Sequence, residues 1–102
     1  MRHRLYFDDV NRVALAALPA ILARLAPGGK IIAGEYVVRN PKRADKHAGS
    51  FKINLRSGRW ADFATGDKGG DAVALVAYLE GVSQGEAVRL LASMLGVSGG
   101  GH

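Results

Sequence analysis

Ser50-Phe51-Lys52-Ile53-Asn54-Leu55-Arg56-Ser57-Gly58-Arg59-Trp60-Ala61-Asp62-Phe63 decides the fold class of this 102-residue chain. Its first half alternates strictly. Phe51, Ile53 and Leu55 point one way and Lys52, Asn54 and Arg56 the other, which is the period of a half-buried strand. Ser57-Gly58 suits a two-residue hairpin turn, and Arg59 to Phe63 returns as the partner strand. With those two residues as the whole loop, Arg56 faces Arg59 and Leu55 faces Trp60. Trp60 and Asp62 then join the apolar face, Asp62 near its edge. Phe63 falls on the opposite face, with Lys52, Asn54, Arg56 and Arg59. Like charges opposed across two strands are unfavourable, so Arg56 and Arg59 need either full solvation or an anion between them. Phe63 either offers a stacking surface there or packs against the helices that follow.

Upstream, Ile31-Ile32, a turn at Ala33-Gly34 and Glu35 to Arg39 predict further strand, which Asn40-Pro41 breaks; Lys42 to Gly49 reads as a polar loop. Farther towards the N-terminus, Val10, Val13, Ala14, Ala17, Leu18, Ile21, Leu22 and Leu25 recur at helical spacing behind the capping candidates Asp8 and Asp9. Pro19 lacks an N–H and predicts a kink or a division of that helix. Downstream, Asp71 caps a helix on Val73, Leu75, Val76 and Leu79 that Gly81 ends. Ser83 and Glu86, at capping-box spacing, start another on Ala87, Val88, Leu91 and Leu95 that Gly96 ends. The expectation is an α+β fold in which a small antiparallel sheet of three or four strands packs against a front helix and two back helices. It forms one domain over residues 1–97, with a helical front at 8–26, a β-rich basic middle at 30–63, two helices within 71–95 and a flexible glycine-rich tail at 98–102. A second core has no room at this length.

The charge is concentrated. Of a net +5, residues 39–60 supply a local +6, from Arg39, Lys42, Arg43, Lys46, Lys52, Arg56 and Arg59 against Asp45. These seven are the candidate nucleic-acid contacts, because a dense cationic stretch concentrates polyanions. The alternative is a solvated face that serves solubility alone. The chain has no cysteine, which removes disulfides, thiolate zinc ligands and a cysteine nucleophile. His3, His47 and His102 are scattered. Asp45, Asp62 and Asp67 form no ion loop, and Ser50 near His47 reads as a polar loop residue rather than a nucleophile. Asp67-Lys68-Gly69-Gly70-Asp71 has the look of a phosphate loop, but Asp71 would fill the helix N-terminus with its own charge. No metal, cofactor or catalytic set is therefore expected, and the chain reads as a non-enzyme. Val13 to Ala23 is too short to span a bilayer and contains Pro19, and no secretory signal pattern opens the chain. The expected location is a bacterial-type cytoplasm.

A set of short motifs adds to this reading. Asn40-Pro41-Lys42-Arg43, Gly49-Ser50-Phe51, Trp60-Ala61-Asp62-Phe63, Gly66-Asp67-Lys68-Gly69-Gly70-Asp71, Glu80-Gly81-Val82-Ser83 and Glu86-Ala87-Val88 follow in order over more than half the chain. Together they resemble the N-terminal zinc-binding domain of bacterial and phage DNA primases. That domain has a Cys-Pro-x-His pair, a Pro-Ser-Phe strand, a hairpin, a Cys-x-x-Cys pair, a Gly-Lys-Gly-Gly-Asp loop and closing helices. Where the family places its ligands, this chain has Asn40, Arg43, Asp62 and Thr65. The resemblance therefore implies a zinc-ribbon-like sheet without zinc. Packing must replace metal binding worth about 10 kcal/mol or more in small zinc folds. Asn40, Arg43, Asp62 and Thr65 are candidates for a hydrogen-bonded or ionic substitute, Arg43 with Asp62 first among them.

The resemblance also implies a function: binding of nucleic acid, single-stranded DNA foremost, by an accessory domain of a primase-like replication system of a phage, plasmid or integrated element. The alternative is an adaptor or inhibitor module that docks on a primase, polymerase, helicase or host protein. An exposed apolar patch on the front helix would favour the latter.

Overall fold

The computed structural model of the chain describes residues 2–42 and 50–97. Two helices come first, α1 (Arg2–Ala16) and α2 (Leu18–Leu25). The division falls where Pro19 requires it. Pro19 sits in the first turn of α2, where a missing N–H has no intrahelical partner to lose. The helical front starts earlier than residue 8, so Asp8 and Asp9 are not caps. They lie exposed within α1, and Asp9 pairs with Arg12 at 3.1 Å.

Five strands follow: β1 (Lys30–Ile32), β2 (Glu35–Val38), β3 (Phe51–Asn54), β4 (Trp60–Asp62) and β5 (Lys68–Gly69). They form one antiparallel sheet in sequence order, one strand beyond the upper end of the expected three or four. The β1–β2 turn is Ala33-Gly34, both residues at positive φ, as a tight two-residue hairpin turn demands. The β3–β4 hairpin is wider than the sequence pattern implies. Ile53, not Leu55, pairs with Trp60, so the register is displaced by two residues. A two-residue displacement leaves every side chain on its face. Phe51, Ile53, Trp60 and Asp62 accordingly stay on the inner side, as expected. Arg56, however, leaves the strand and lies exposed in the loop. It does not face Arg59, whose position is opposite Asn54.

Two closing helices, α3 (Ala72–Glu80) and α4 (Gln84–Leu95), have the caps their sequences encode. Asp71 accepts from Ala74 N at 2.8 Å, Ser83 accepts from Glu86 N at 3.1 Å, and Gly81 and Gly96 end the helices in the left-handed region. All four helices contribute to the core that covers the inner sheet face, an α+β arrangement. Val10 and Ala14, then Leu18, Ile21 and Leu22, then Val73, Leu75 and Val76, then Val88 and Leu91 meet Tyr36, Val38, Phe51, Ile53 and Trp60. Each such large side chain contributes about 1.5–3 kcal/mol by leaving water. Phe51, Trp60 and α3's Tyr78 form an aromatic stack, with Trp60 and Tyr78 ring centres 4.8 Å apart. None of the helices among the described residues is long and apolar enough to cross a membrane.

Candidate nucleic-acid interface

The outer sheet face carries no helix-packing residues and presents three rows. Cross-strand pairing aligns Glu35, Asn54 and Arg59 at the hairpin end, then Val37, Lys52, Ala61 and Lys68 across the middle. Phe63, whose N–H donates to Ser50 O at 2.7 Å, stands at the far end. Small Ala61 leaves a trough between the longer side chains of Lys52 and Lys68. The result is an open groove of about 620 Å³ lined by Glu35, Lys52, Asn54, Arg59, Phe63 and Lys68 among others. Phe63 is 72% exposed, with the Lys52 ammonium 5.8 Å from its ring centre. It offers a bare aromatic face rather than a contact with the back helices. Among the described residues, Lys52, Arg59 and Lys68 form no salt bridge, so their field is not cancelled at short range.

The five candidate cations among the described residues are dispersed in different ways. Lys52 and Arg59 line the groove. Arg56 is exposed in the adjoining loop, and Arg39 is exposed just past the end of β2. Lys42 is turned to the helical side of the sheet. Its ammonium donates to Tyr78 O at 2.8 Å and lies 5.0 Å from the Tyr78 ring centre, neutralising the C-terminal end of α3. It is a structural cation and not a groove contact. Arg43 and Lys46 lie outside the described residues, as do most of the polar loop and the tail. Lys68 joins the groove unforeseen, because β5 is two residues long and reads as loop. The helix start beside it is closed to phosphate. Asp71 caps α3 from within, and Asn11 of α1 accepts from Val73 N at 2.9 Å.

Beneath the far edge of the sheet lies a second polar arrangement. Asn40 and Asp62 are both fully buried. The Asn40 amide donates to Asp62 Oδ2 and to the Tyr78 hydroxyl, each at 2.8 Å, and its Oδ1 accepts from Lys42 N. Asp62 Oδ1 accepts from Ala64 N at 2.8 Å, and its carbonyl accepts from Thr65 N and Gly66 N. The Tyr78 hydroxyl then donates to Asp67 Oδ2 at 2.8 Å, while Thr65 Oγ1 accepts from Asp67 N. Asn40 and Asp62, two of the four positions singled out in the sequence, therefore meet through their side chains, while Thr65 touches Asp62 only through the backbone. These bonds tie the end of β2, the 62–67 turn and α3 together. The expected Arg43–Asp62 pair falls outside the described residues. Among those described, no three His, Asp or Glu side chains come together as a metal site would need.

Burial raises the Tyr78 hydroxyl above the usual tyrosine range, and the Asp67 carboxylate beside it adds to the rise against the opposing effect of Asn40. A group raised in the folded state contributes its stability below the unfolded tyrosine value, and that contribution is lost as pH rises through the folded one. Stability should therefore fall on alkaline titration above about pH 10. Tyr78→Phe should flatten that fall while lowering stability at neutral pH by about 1–2 kcal/mol for its two hydrogen bonds. Urea midpoints of both proteins across the alkaline range check this; parallel curves would refute it.

No protein-family model matches the chain, and a search of curated proteins returned no match.

Proposed function

We propose that this chain binds single-stranded nucleic acid, single-stranded DNA foremost, along the outer face of its sheet. In this reading it is a non-catalytic accessory domain of a primase-like replication system of a phage, plasmid or integrated element. One observation carries the reading: an open groove holds Lys52, Arg59 and Lys68 around small Ala61, with exposed Phe63 at one end. Cations without acidic partners attract the phosphates. A bare aromatic ring gains from a base only where that base is unstacked, which favours a single strand over a duplex. The likeness to primase zinc domains rests on the ordered motifs of the sequence, and the Asn40–Asp62 hydrogen bond joins two of the positions where that likeness puts ligands.

The test is fluorescence anisotropy with a labelled single-stranded oligonucleotide across a salt series. Three phosphate contacts give a slope of log K against log salt of about −2. The triple variant Lys52→Ala, Arg59→Ala, Lys68→Ala should bind at least about tenfold more weakly and lose most of that slope, with its melting temperature nearly unchanged. Unaltered affinity in the triple variant would remove the groove from the reading.

A specific feature favours the adaptor as second reading. β1 is an edge strand whose Ile31 and Ile32 are 59% and 56% exposed, an inviting template for another chain. Among the described side chains, the exposed large apolar residues are Ile31, Ile32, Phe63 and Leu90, none of them on the front helix. Retention of partner binding by the triple variant alongside absence of oligonucleotide binding by the parent would select this reading.

A further inference from the structure

The groove contains one group that phosphate binding does not explain. Glu35 opens β2 directly across from Asn54 of β3, and Arg59 stands on the far side of Asn54, where Asn54 N donates to Arg59 O at 2.7 Å. A carboxylate in a cationic trough repels phosphate. Yet Glu35 is half-buried and, among the described residues, has neither an ion pair nor a side-chain hydrogen bond. Asn54 is held in one orientation, because its Oδ1 accepts from Arg56 N and Ser57 N, both at 2.9 Å. Its NH₂ group remains as the unused donor. Opposed across the strands, Glu35 and Asn54 thus put one carboxylate and one amide donor in the same row of the groove: two acceptors and a donor.

The Watson–Crick edge of guanine presents the complement. N1–H and the N2 amino group are two adjacent donors that suit one carboxylate, and O6 is an acceptor next to them. Adenine and cytosine each offer one exocyclic amino group with ring acceptors alongside, and thymine offers a single N–H between two carbonyls. None of these satisfies both oxygens of a carboxylate. That edge is free only in an unpaired strand. From Arg59 to Phe63 the strand runs four residues, about 13 Å at ~3.3 Å per residue, so a base at Glu35 and a base on Phe63 belong to different nucleotides of one bound strand.

We propose that Glu35 and Asn54 form a base-reading subsite that selects guanine within the single strand, resting on the nucleic-acid reading above. Glu35 takes N1–H and N2–H, the Asn54 amide donates to O6, and Lys52, Arg59 and Lys68 hold the backbone without regard to sequence. Glu35 lowers affinity for strands lacking guanine and repays that loss where guanine is present, which is selection by repulsion as well as by attraction.

The experiment compares oligothymidylates carrying one central guanine, hypoxanthine, adenine or cytosine, titrated against the parent protein and Glu35→Gln. Guanine should bind about tenfold more tightly than the all-thymine strand, as one bidentate base contact provides. Hypoxanthine, which lacks the N2 amino group, should fall between them. Glu35→Gln should abolish the preference while holding or strengthening binding to all-thymine strands, since a negative charge leaves the groove. Circular dichroism confirms that the surface substitution folds. Binding to every strand with equal affinity, or a guanine preference that survives Glu35→Gln, overturns this subsite and leaves the phosphate groove standing. No binding of any strand at low salt overturns both.

Discussion

Asp62→Ala should lower the free energy of unfolding by about 3 kcal/mol or more, at the upper end of what single substitutions do. Asp62 is fully buried, and its carboxylate accepts from Asn40 Nδ2 and Ala64 N. Alanine leaves the buried Asn40 amide without that acceptor, at about 1–3 kcal/mol, loses the part-buried bond from Ala64 N, and leaves a void besides. The removal of a desolvated charge offsets part of this, which is why the loss is not larger. A domain of this size has only about 5–15 kcal/mol in total, so the variant should be visibly less stable in urea. The bond itself, rather than bulk, can be isolated. Replacing Asn40 and Asp62 together by leucine removes donor and acceptor at once, and the double variant should lose less than the sum of the two single leucine variants. A loss below about 1 kcal/mol for Asp62→Ala, or strict additivity of the pair, would show that the Asn40–Asp62 contact does not clamp the fold.

That clamp lies where the resemblance to primase domains puts metal ligands, and its legibility in the sequence was partial for a physical reason. A hydrogen-bonded substitute has no spacing rule comparable to a Cys-x-x-Cys pair. Tyr78 and Lys42 join it from α3 and from the end of β2, and nothing in the sequence links them to Asp62. The faces of the hairpin were readable because alternation has period two. The loop was not, because Ser57-Gly58 resembles a complete turn. The residue that widens the loop is Asn54, whose side chain accepts from Arg56 N and Ser57 N and so curls the chain before Ser57 is reached. Helices α3 and α4 were legible to the residue because caps are local chemistry. The start of α1 was not, since Asp8 and Asp9 have the composition of a cap without occupying one. Of the groove, Lys52 and Arg59 follow from alternation, whereas Lys68 depends on β5, too short to leave a periodic trace.

That short strand explains the other large effect. Gly69 pairs with Trp60, and a Cβ built there would lie 2.5 Å from three atoms of the indole, Nε1 among them. The ring cannot give way. It is 5% exposed, packs edge-on against Phe51 at 6.1 Å and lies against Tyr78 at 4.8 Å. Trp60 Nε1 is also buried and makes no hydrogen bond among the described residues, so the ring is held there by packing alone. Gly69→Ala must either displace β5 from the sheet or push the indole into the stack, and overpacking of this kind costs about 2–3 kcal/mol. Since β5 carries Lys68, detachment should also weaken oligonucleotide binding, a coupling that loss of stability by itself would not produce at temperatures well below melting. Trp60→Phe shortens the ring where the collision occurs, so Gly69→Ala should cost clearly less in that background than in the parent. Urea denaturation of the four proteins of this cycle measures the difference. An equal cost in both backgrounds would mean that Gly69 is required by its own backbone and not by the tryptophan beneath it.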